Sequence, residues 1–233
     1  MPAEFDSYAA AGYRKLLQDP LLDRFADSRF FFERKLTLLR SCYERYAKQT
    51  QSASWLDVGC GEGTLLQIGN KHFGEVAGCD ISAGMIRGSD GLNIRHQTSP
   101  RQIPFTDRSF DFVTAVCVYH HVDIVDRPFL TLDISRVLKP NGLFCIIEHN
   151  PLNPITRLIV RRSPLDSHAQ LLTAGKTKRL ARAAQMKVLA TSYFLYFPER
   201  LYAKMAATEK ILSSLPLGGQ YAVFCQNHYG SLY

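Results

Sequence analysis

The stretch Leu56-Asp57-Val58-Gly59-Cys60-Gly61-Glu62-Gly63 decides the fold that this sequence predicts. An apolar run that begins at Ser54 enters a turn with three glycines, and a helical pattern begins at Thr64. Glycine serves where the backbone needs a positive φ or must approach a ligand closely. Such a strand, turn and helix form the edge of a parallel sheet at which nucleotides bind. The third glycine comes one residue earlier than in the dinucleotide fingerprint, so the spacing disfavours an NAD site.

Two carboxylates accompany the glycine turn. Asp57 leads into it, and Asp80 ends the next apolar run, about twenty residues further on. A carboxylate at the position of Asp80 can accept hydrogen bonds from both hydroxyls of a ribose. Asp57 would repel a pyrophosphate but would attract a cofactor that carries an ammonium and a sulfonium cation.

Apolar runs and helical patterns alternate through the middle of the chain. The runs are apolar on both faces, as buried parallel strands are, so we predict a three-layer α/β sheet. The predicted strands are 54–58, 75–80, 92–96, 110–118 and 143–148, with helices at 64–73, 82–87 and 127–138.

The two ends of the chain depart from this alternation. The N-terminal part predicts helices at 6–18 and 27–48. The C-terminal part predicts an irregular segment at 150–167, helices at 169–185 and 199–212, a strand at 188–197, and a final antiparallel strand at 221–226.

Four ordered motifs give the chain a resemblance to the class I S-adenosylmethionine (SAM) dependent methyltransferases of the type 11 kind. They are 56–63, 78–82, 103–105 with 110–113, and 136–142, and together they cover 52–148. The resemblance implies one Rossmann-like domain with a seven-stranded sheet, mostly parallel with a final antiparallel strand, and SAM as the cofactor. We expect a helical cap at 1–50, a SAM-binding core at 52–149, and an acceptor-side insertion with the last strands at 150–233.

The resemblance also assigns residues to the cofactor. Asp57 would hold its amino group and Asp80 its ribose. The turn residues Gly59, Cys60, Gly61 and Gly63 would line the methionine part and the ribose, and Ile81 and Met85 would pack on the adenine. The family usually has an Asp after the third strand; Thr98 and Ser99 stand there instead and are expected to substitute for it. Cys117 is also assigned to the cofactor site, as a small residue that fills space beside the pocket. No metal ligand is predicted.

The acceptor is expected beside the ends of the fourth and fifth strands. Histidine suits general-base chemistry near neutral pH, so His149 is the first candidate base and His121 the second. The candidate acceptor-binding residues are Tyr8, Tyr13, Tyr119, Asn150, Arg157 and Arg161. The first interpretation is O-methylation of a small, lipid-linked or nucleotide-linked acceptor. The alternatives are N- or C-methylation, with a quinone-type, RNA or protein acceptor, or SAM binding without catalysis.

Composition narrows the class of protein. The chain has 233 residues, and its hydrophobic fraction of 46% excludes a mostly disordered chain. Its net charge of +7 suggests anionic partners. Residues 157–187 hold eight basic residues and one acid, Asp166, so an anionic acceptor and peripheral membrane contact are expected there. No Asn/Asp-Pro-Pro-aromatic motif follows the fourth strand, so a nucleic-acid partner is not expected. The N-terminal residues do not resemble a secretory signal, so the predicted location is the cytoplasm. Peripheral attachment to the inner membrane is the alternative.

A weaker resemblance concerns the residues after the fifth strand. The segments 148–154, 163–166, 197–198 and 215–218 resemble a subgroup of bacterial methyltransferases that accompany polysaccharide and glycolipid assembly or secondary metabolism. This resemblance implies a sugar hydroxyl or a related small metabolite as the acceptor.

Overall fold

The structure, a computed structural model, describes residue 6 and residues 20–47, 49–87, 89 and 91–228. From residue 20 onward the first elements are helices α1 (Pro20–Phe25) and α2 (Ser28–Tyr46). Then come β1 (Ser54–Val58), α3 (Thr64–Gly69), β2 (Glu75–Asp80), α4 (Ala83–Ile86), β3 (Asn93–His96) and β4 (Phe110–Val116). The remainder is α5 (Arg127–Val137), β5 (Leu138–His149), α6 (Pro154–Arg162), α7 (Ala174–Ala183), β6 (Met186–Phe194), α8 (Glu199–Leu212) and β7 (Gln220–Asn227).

The described strands form one sheet in the order β3-β2-β1-β4-β5-β7-β6. The first four pairings along this order are parallel, and β7 is antiparallel to both β5 and β6. The predicted seven-stranded, mostly parallel sheet with a final antiparallel strand is therefore confirmed.

Two hydrophobic clusters cover the two faces of the sheet, which confirms the three layers. On one face Leu56 and Val113 of the sheet pack with Ile134 of α5 and Ala181 of α7. On the other face Trp55 packs with residues of α2 and α3, among them Leu39 and Leu66. Consecutive strand residues thus point to opposite helical layers, which explains why the runs are apolar throughout.

The prediction of an irregular segment at 150–167 is wrong, because α6 occupies its middle. Asn153 is its N-cap and accepts a hydrogen bond from the Thr156 amide at 2.9 Å, and Pro154 stands at the first helical position. Proline is tolerated there because a backbone N–H at the first helical position would have no partner inside the helix. The helix expected at 169–185 is also shorter and begins only at Ala174.

The predicted helix at 6–18 lies outside the described residues apart from Asp6. The Asp6 carboxylate accepts hydrogen bonds from the Ser82 hydroxyl at 2.6 Å and from the Gly84 amide at 2.7 Å. Asp6 therefore lies against the N-terminus of α4, just after β2.

Candidate functional site

The glycine turn after β1 adopts a conformation that side chains resist. Gly59 and Gly61 have φ angles of +72° and +54°. A Cβ atom on Gly59 would lie 2.5 Å from Val118, and one on Gly61 would lie 3.2 Å from the Met85 methyl group. Positive φ angles and close neighbours therefore both require glycine at these two positions.

Asp80 closes this turn from the neighbouring strand. One carboxylate oxygen accepts from the Gly61 amide at 2.8 Å, and the other accepts from the Ser82 amide at 2.9 Å. Burial raises the pKa of Asp80, while these amides oppose the rise. Each oxygen keeps a further lone pair, so the carboxylate is held in place and can still accept from a diol.

Asp57 is buried at the end of β1. Its carboxylate accepts a hydrogen bond from the Thr114 hydroxyl at 2.6 Å, and the Trp55 indole in turn donates to Thr114 at 2.8 Å. Burial raises the pKa of Asp57 to about 7, although the Thr114 hydrogen bond and the charge of Lys35 act in the other direction. A cation bound nearby would favour the ionised form of this buried carboxylate.

Lys35 of α2 supplies positive charge at the same edge. Its ammonium lies 3.9 Å from the Cys117 sulfur and 5.4 Å from the centre of the Phe32 ring. The same charge lowers the pKa of Cys117 against the larger effect of burial. It lowers the pKa of His149 in the same direction as burial does. Lys35 thus faces the carboxyl ends of three neighbouring strands.

Cys117 follows β4, and Gln220 begins β7 beside the end of β5. Cys117 has a φ of +59°, which is strained for a residue with a side chain, and burial raises the pKa of its thiol. Gln220, only 6% exposed, donates from Nε2 to this sulfur at 3.4 Å. Its Oε1 atom has no hydrogen-bond partner within the described part of the chain. A buried carbonyl without a partner fits a hydrogen-bond donor on a bound group.

The expected adenine side lies at the ends of β2 and β3. Met85 is buried beneath the glycine turn, Ile81 is half-buried, and its carbonyl contacts His96 at 3.1 Å. Thr98 is exposed, and Ser99 is half-buried and accepts from the Arg101 amide at 3.2 Å. Both residues follow β3, and their part in adenine binding stays a prediction.

Glu148 anchors the acceptor side. Its carboxylate is completely buried and accepts from the Val118 amide at 3.0 Å and the Tyr119 amide at 2.7 Å. Its second oxygen lies 2.5 Å from Nδ1 of His120. The other His120 nitrogen lies 3.3 Å from Asp166.

Three histidines and two acids form a histidine cluster in which His120 carries the positive charge: His120, His121, His149, Glu148 and Asp166. Burial alone would lower the pKa of His120, but Glu148 and Asp166 together raise it to about 10. Burial, followed by the charge of His120, lowers the pKa of both His121 and His149 to about 4. The His149 ring lies 5.1 Å from the His120 ring, so two neutral imidazoles flank a protonated one.

The predicted acceptor-binding residues differ in their exposure and in their contacts. Tyr119 is completely buried, and its hydroxyl is 2.9 Å from that of Thr131, so assigning it to the acceptor is wrong. Asn150 is 1% exposed, and its amide group donates to the carbonyls of Pro216 and Gly218, so it fastens a loop instead. Arg157 and Arg161 lie exposed on α6. Tyr8 and Tyr13 lie outside the described residues.

The sequence analysis did not single out Lys35, His120, Glu148, Asp166 or Gln220 for these contacts. Asp166 carried a usable signal, because an isolated acid in a basic segment is a candidate for burial against a cation. Lys35 lay within an amphipathic helix that offered nothing to distinguish one cation from another. Gln220 reaches the site only because β7 turns back beside β5, with Gln220 opposite His149.

Comparison with known proteins agrees with this geometry. A family model described as "Methyltransferase domain" matches residues 56–146. A demethylmenaquinone methyltransferase of Thermobifida fusca is 29% identical over 156 residues, which are 60% of this chain and 64% of that protein. The enzyme of the same name from Lactobacillus johnsonii is 35% identical over 118 residues, 44% of this chain and 47% of that protein.

A solved structure shows the same fold. A SAM-dependent methyltransferase from Archaeoglobus fulgidus superimposes with a TM-score of 0.60 and 20% identity, over 86% of this chain and 100% of that one. The chain spans between about half and two thirds of the length of the two curated relatives.

Proposed function

We propose that this chain is a class I SAM-dependent methyltransferase that transfers the methyl group of SAM to an oxygen atom of a small acceptor with a lipid-like part. Its residues 56–146 match the family model described as a methyltransferase domain. The observation that carries the proposal is the histidine cluster built on Glu148, which stands beside the glycine turn at the same edge of the sheet. A cofactor site and a group of proton acceptors are what methyl transfer to a hydroxyl requires.

SAM fits the charges and vacant hydrogen-bonding atoms of the site. The Asp80 carboxylate can accept from the ribose hydroxyls, and the buried Asp57 gains a cationic neighbour in the ammonium of SAM. Gln220 Oε1, which has no partner within the described residues, can accept from the same ammonium. Lys35 can pair with the carboxylate of the methionine part. When bound, SAM supplies an electrophilic methyl group.

The acceptor would be deprotonated from the side of β5. His149 follows Glu148 at the end of that strand, and its lowered pKa leaves its imidazole neutral at neutral pH. A neutral imidazole could take the proton of an acceptor hydroxyl. SAM, when bound, would supply the methyl group and leave as S-adenosylhomocysteine. His121 is the second candidate, since its pKa is lowered in the same way.

C-methylation is the second candidate reaction, because two relatives are named demethylmenaquinone methyltransferases. Removal of a proton from a ring hydroxyl would serve this reaction as well, since it makes the neighbouring ring carbon more nucleophilic. The histidine cluster is therefore compatible with both reactions, and the product must decide between them.

The lipid-like part of the acceptor is proposed from α6. This helix starts five residues after β5 and exposes Ile155 and Leu158 beside Arg157 and Arg161. Its N-cap Asn153 donates to the Leu217 carbonyl at 2.7 Å, which joins a loop with exposed Leu215 and Leu217 to the same surface. Exposed apolar groups next to arginines are typical of a surface that rests on anionic lipids. Peripheral attachment to a membrane from the cytoplasm is therefore part of the proposal.

The experiment uses radiolabelled SAM with separately fractionated metabolite and lipid extracts. We expect label in a lipid or amphiphile fraction, and mass spectrometry with NMR of the product then identifies a methoxy group or a C-methyl group. If SAM binds but no fraction is labelled, the chain is a SAM-binding protein without transfer activity and the proposal fails.

The first prediction concerns the base. With the acceptor in hand, His149→Gln should lower kcat by about 10²–10⁴-fold, the usual cost of losing a general base. The SAM Kd should change little, because His149 lies on the acceptor side. A parent rate in His149→Gln with a reduced rate in His121→Gln would transfer the role to His121.

A further inference from the structure

Two imidazoles and one carboxylate converge beside the acceptor side from distant parts of the chain. His120 and His121 follow β4, and Asp166 ends a short helical turn after α6. Asp166 Oδ1 lies 3.3 Å from His120 Nε2 and 3.5 Å from His121 Nε2. All three ligand atoms lie within 4.8 Å of one another.

We propose that His120, His121 and Asp166 form a binding site for a divalent transition-metal ion such as Zn²⁺ or Co²⁺. Bonds of about 2.1 Å from one ion to nitrogen and oxygen ligands place neighbouring ligand atoms roughly 3.0–3.5 Å apart. The two separations from Asp166 fall in this range, so small side-chain movements would complete the site. Two imidazoles and one carboxylate form a set that first-row transition metals favour, and it leaves further positions open.

The surroundings of His120 match those of a metal ligand. A histidine that binds a metal through one nitrogen commonly donates its other N–H to a carboxylate, which fixes the ring and its tautomer. Glu148 does this here, 2.5 Å from Nδ1 of His120, and is itself fixed by the Val118 and Tyr119 amides. The Nε2 atom is thereby directed at Asp166.

The metal ion would lie among the three ligand atoms, which already lie within 4.8 Å of one another. The site opens to solvent through His121 and Asp166, whose side chains are 21% and 13% exposed. An oxygen of water or of the acceptor could take an open position there.

The test is a titration of the full chain, freed of metal by chelation, with Co²⁺ followed by its visible absorption. We expect one bound Co²⁺ per chain, displaced by Zn²⁺. Asp166→Asn and His121→Asn should each weaken binding at least tenfold, since even the loss of a supporting partner costs about 10–100-fold. His72→Asn removes a histidine remote from the cluster and should leave the affinity unchanged.

A second measurement avoids variants that fail to fold. In the unmodified chain, Co²⁺ should shift or broaden amide NMR signals around 119–121 and 166 before those around His72. No saturable binding, equal weakening in His72→Asn, or signal changes away from the cluster would each overturn the metal site. The readouts do not involve methyl transfer, so the metal site and the proposed function can fail separately.

Discussion

At the scale of single residues, two carboxylates in the same site differ in what surrounds them. Asp80 has backbone amides on both oxygens, whereas Asp57 has the Thr114 hydroxyl on one oxygen and lies buried. The environment of Asp57 makes it sensitive to a ligand's charge, and that of Asp80 makes it a fixed acceptor.

The sensitivity of Asp57 predicts a pH dependence of SAM binding. In the ligand-free fold its pKa is about 7, well above the ordinary 3.8, so the carboxyl is largely protonated below pH 7. The ammonium of SAM favours the ionised form, so binding at low pH must expel a proton. We expect the SAM Kd measured by calorimetry to rise as pH falls through 7, by up to about tenfold per unit. Asp57→Asn should bind more weakly at pH 8 and lose this slope; a slope that persists would assign it to another group.

The stability of the ligand-free chain should fall as pH rises, whereas SAM binding should become tighter. A carboxyl whose pKa is raised on folding stabilises the fold below its unfolded pKa of 3.8 and loses that contribution as pH rises through about 7. Thermal unfolding of the parent chain and of Asp57→Asn, compared between these two pH values, measures the contribution.

Lys35 gives a prediction about the carboxylate end of SAM. Lys35→Met keeps the length of the side chain but removes its charge, and a hydrogen bond between charged groups is worth about 1.5–3 kcal/mol. We expect the SAM Kd to rise about tenfold or more, and Lys35→Arg to recover part of the affinity. Lys71→Met, at an exposed position after α3, is the matched control. An unchanged Kd in Lys35→Met would leave the lysine only a packing role.

At the scale of elements, the sequence predicted what local pattern determines. The glycine turn and the bounds of α8 depend on neighbouring residues, and the structure has them as predicted. The prolines around α6 led to the wrong prediction of an irregular segment at 150–167. In a sequence, proline at the first helical position cannot be told from a proline that breaks a helix. Tyr119 and Asn150 were misassigned because their burial depends on α5 and on the loop before β7, which are remote in the chain.

The joint between α2 and α8 is another such remote contact, and it predicts a stability change. Arg34 of α2 pairs with the buried Glu209 of α8 and lies 3.9 Å above the Tyr202 ring. Removing one member of a buried pair leaves a charge without compensation, which typically costs about 3–5 kcal/mol. Arg34→Met should therefore lower the free energy of unfolding by roughly this amount in urea denaturation.

The double variant separates the charge from the packing. Arg34→Met with Glu209→Gln should recover much of the loss, because no uncompensated charge remains, although Glu209 also accepts from the Tyr196 amide at 3.0 Å. A double variant as unstable as the sum of the two single variants would mean that the pair contributes nothing beyond packing.

At the scale of the whole molecule, exposed apolar and basic groups occur together on the acceptor side. Among the described residues, every helix is too short or too polar to span a bilayer. The attachment proposed above uses α6 and the 215–217 loop, which lie next to the end of β5. Such an arrangement would let an acceptor with an apolar tail enter the site from the lipid.

Charge reversal on α6 tests this attachment. Arg157→Glu with Arg161→Glu should weaken binding to vesicles of phosphatidylglycerol and phosphatidylcholine at least tenfold, since each basic group near an anionic surface contributes about 1 kcal/mol. Binding of the parent should weaken as salt increases and should be low on phosphatidylcholine alone. Lys71→Glu with Lys187→Glu makes the same change in net charge at the opposite edge of the sheet and should have a much smaller effect.

The apolar part of the surface needs its own variant, because electrostatic attraction alone would bind any basic protein. Ile155→Ser with Leu158→Ser should reduce vesicle binding even at low salt, because apolar insertion contributes beside the charges. Ile124→Ser with Val125→Ser removes two equally exposed side chains before α5 and is the control. If both apolar pairs behave alike in vesicle flotation, or if the two charge reversals do, attachment is not localised to α6, and the acceptor would reach the histidine cluster from solution instead.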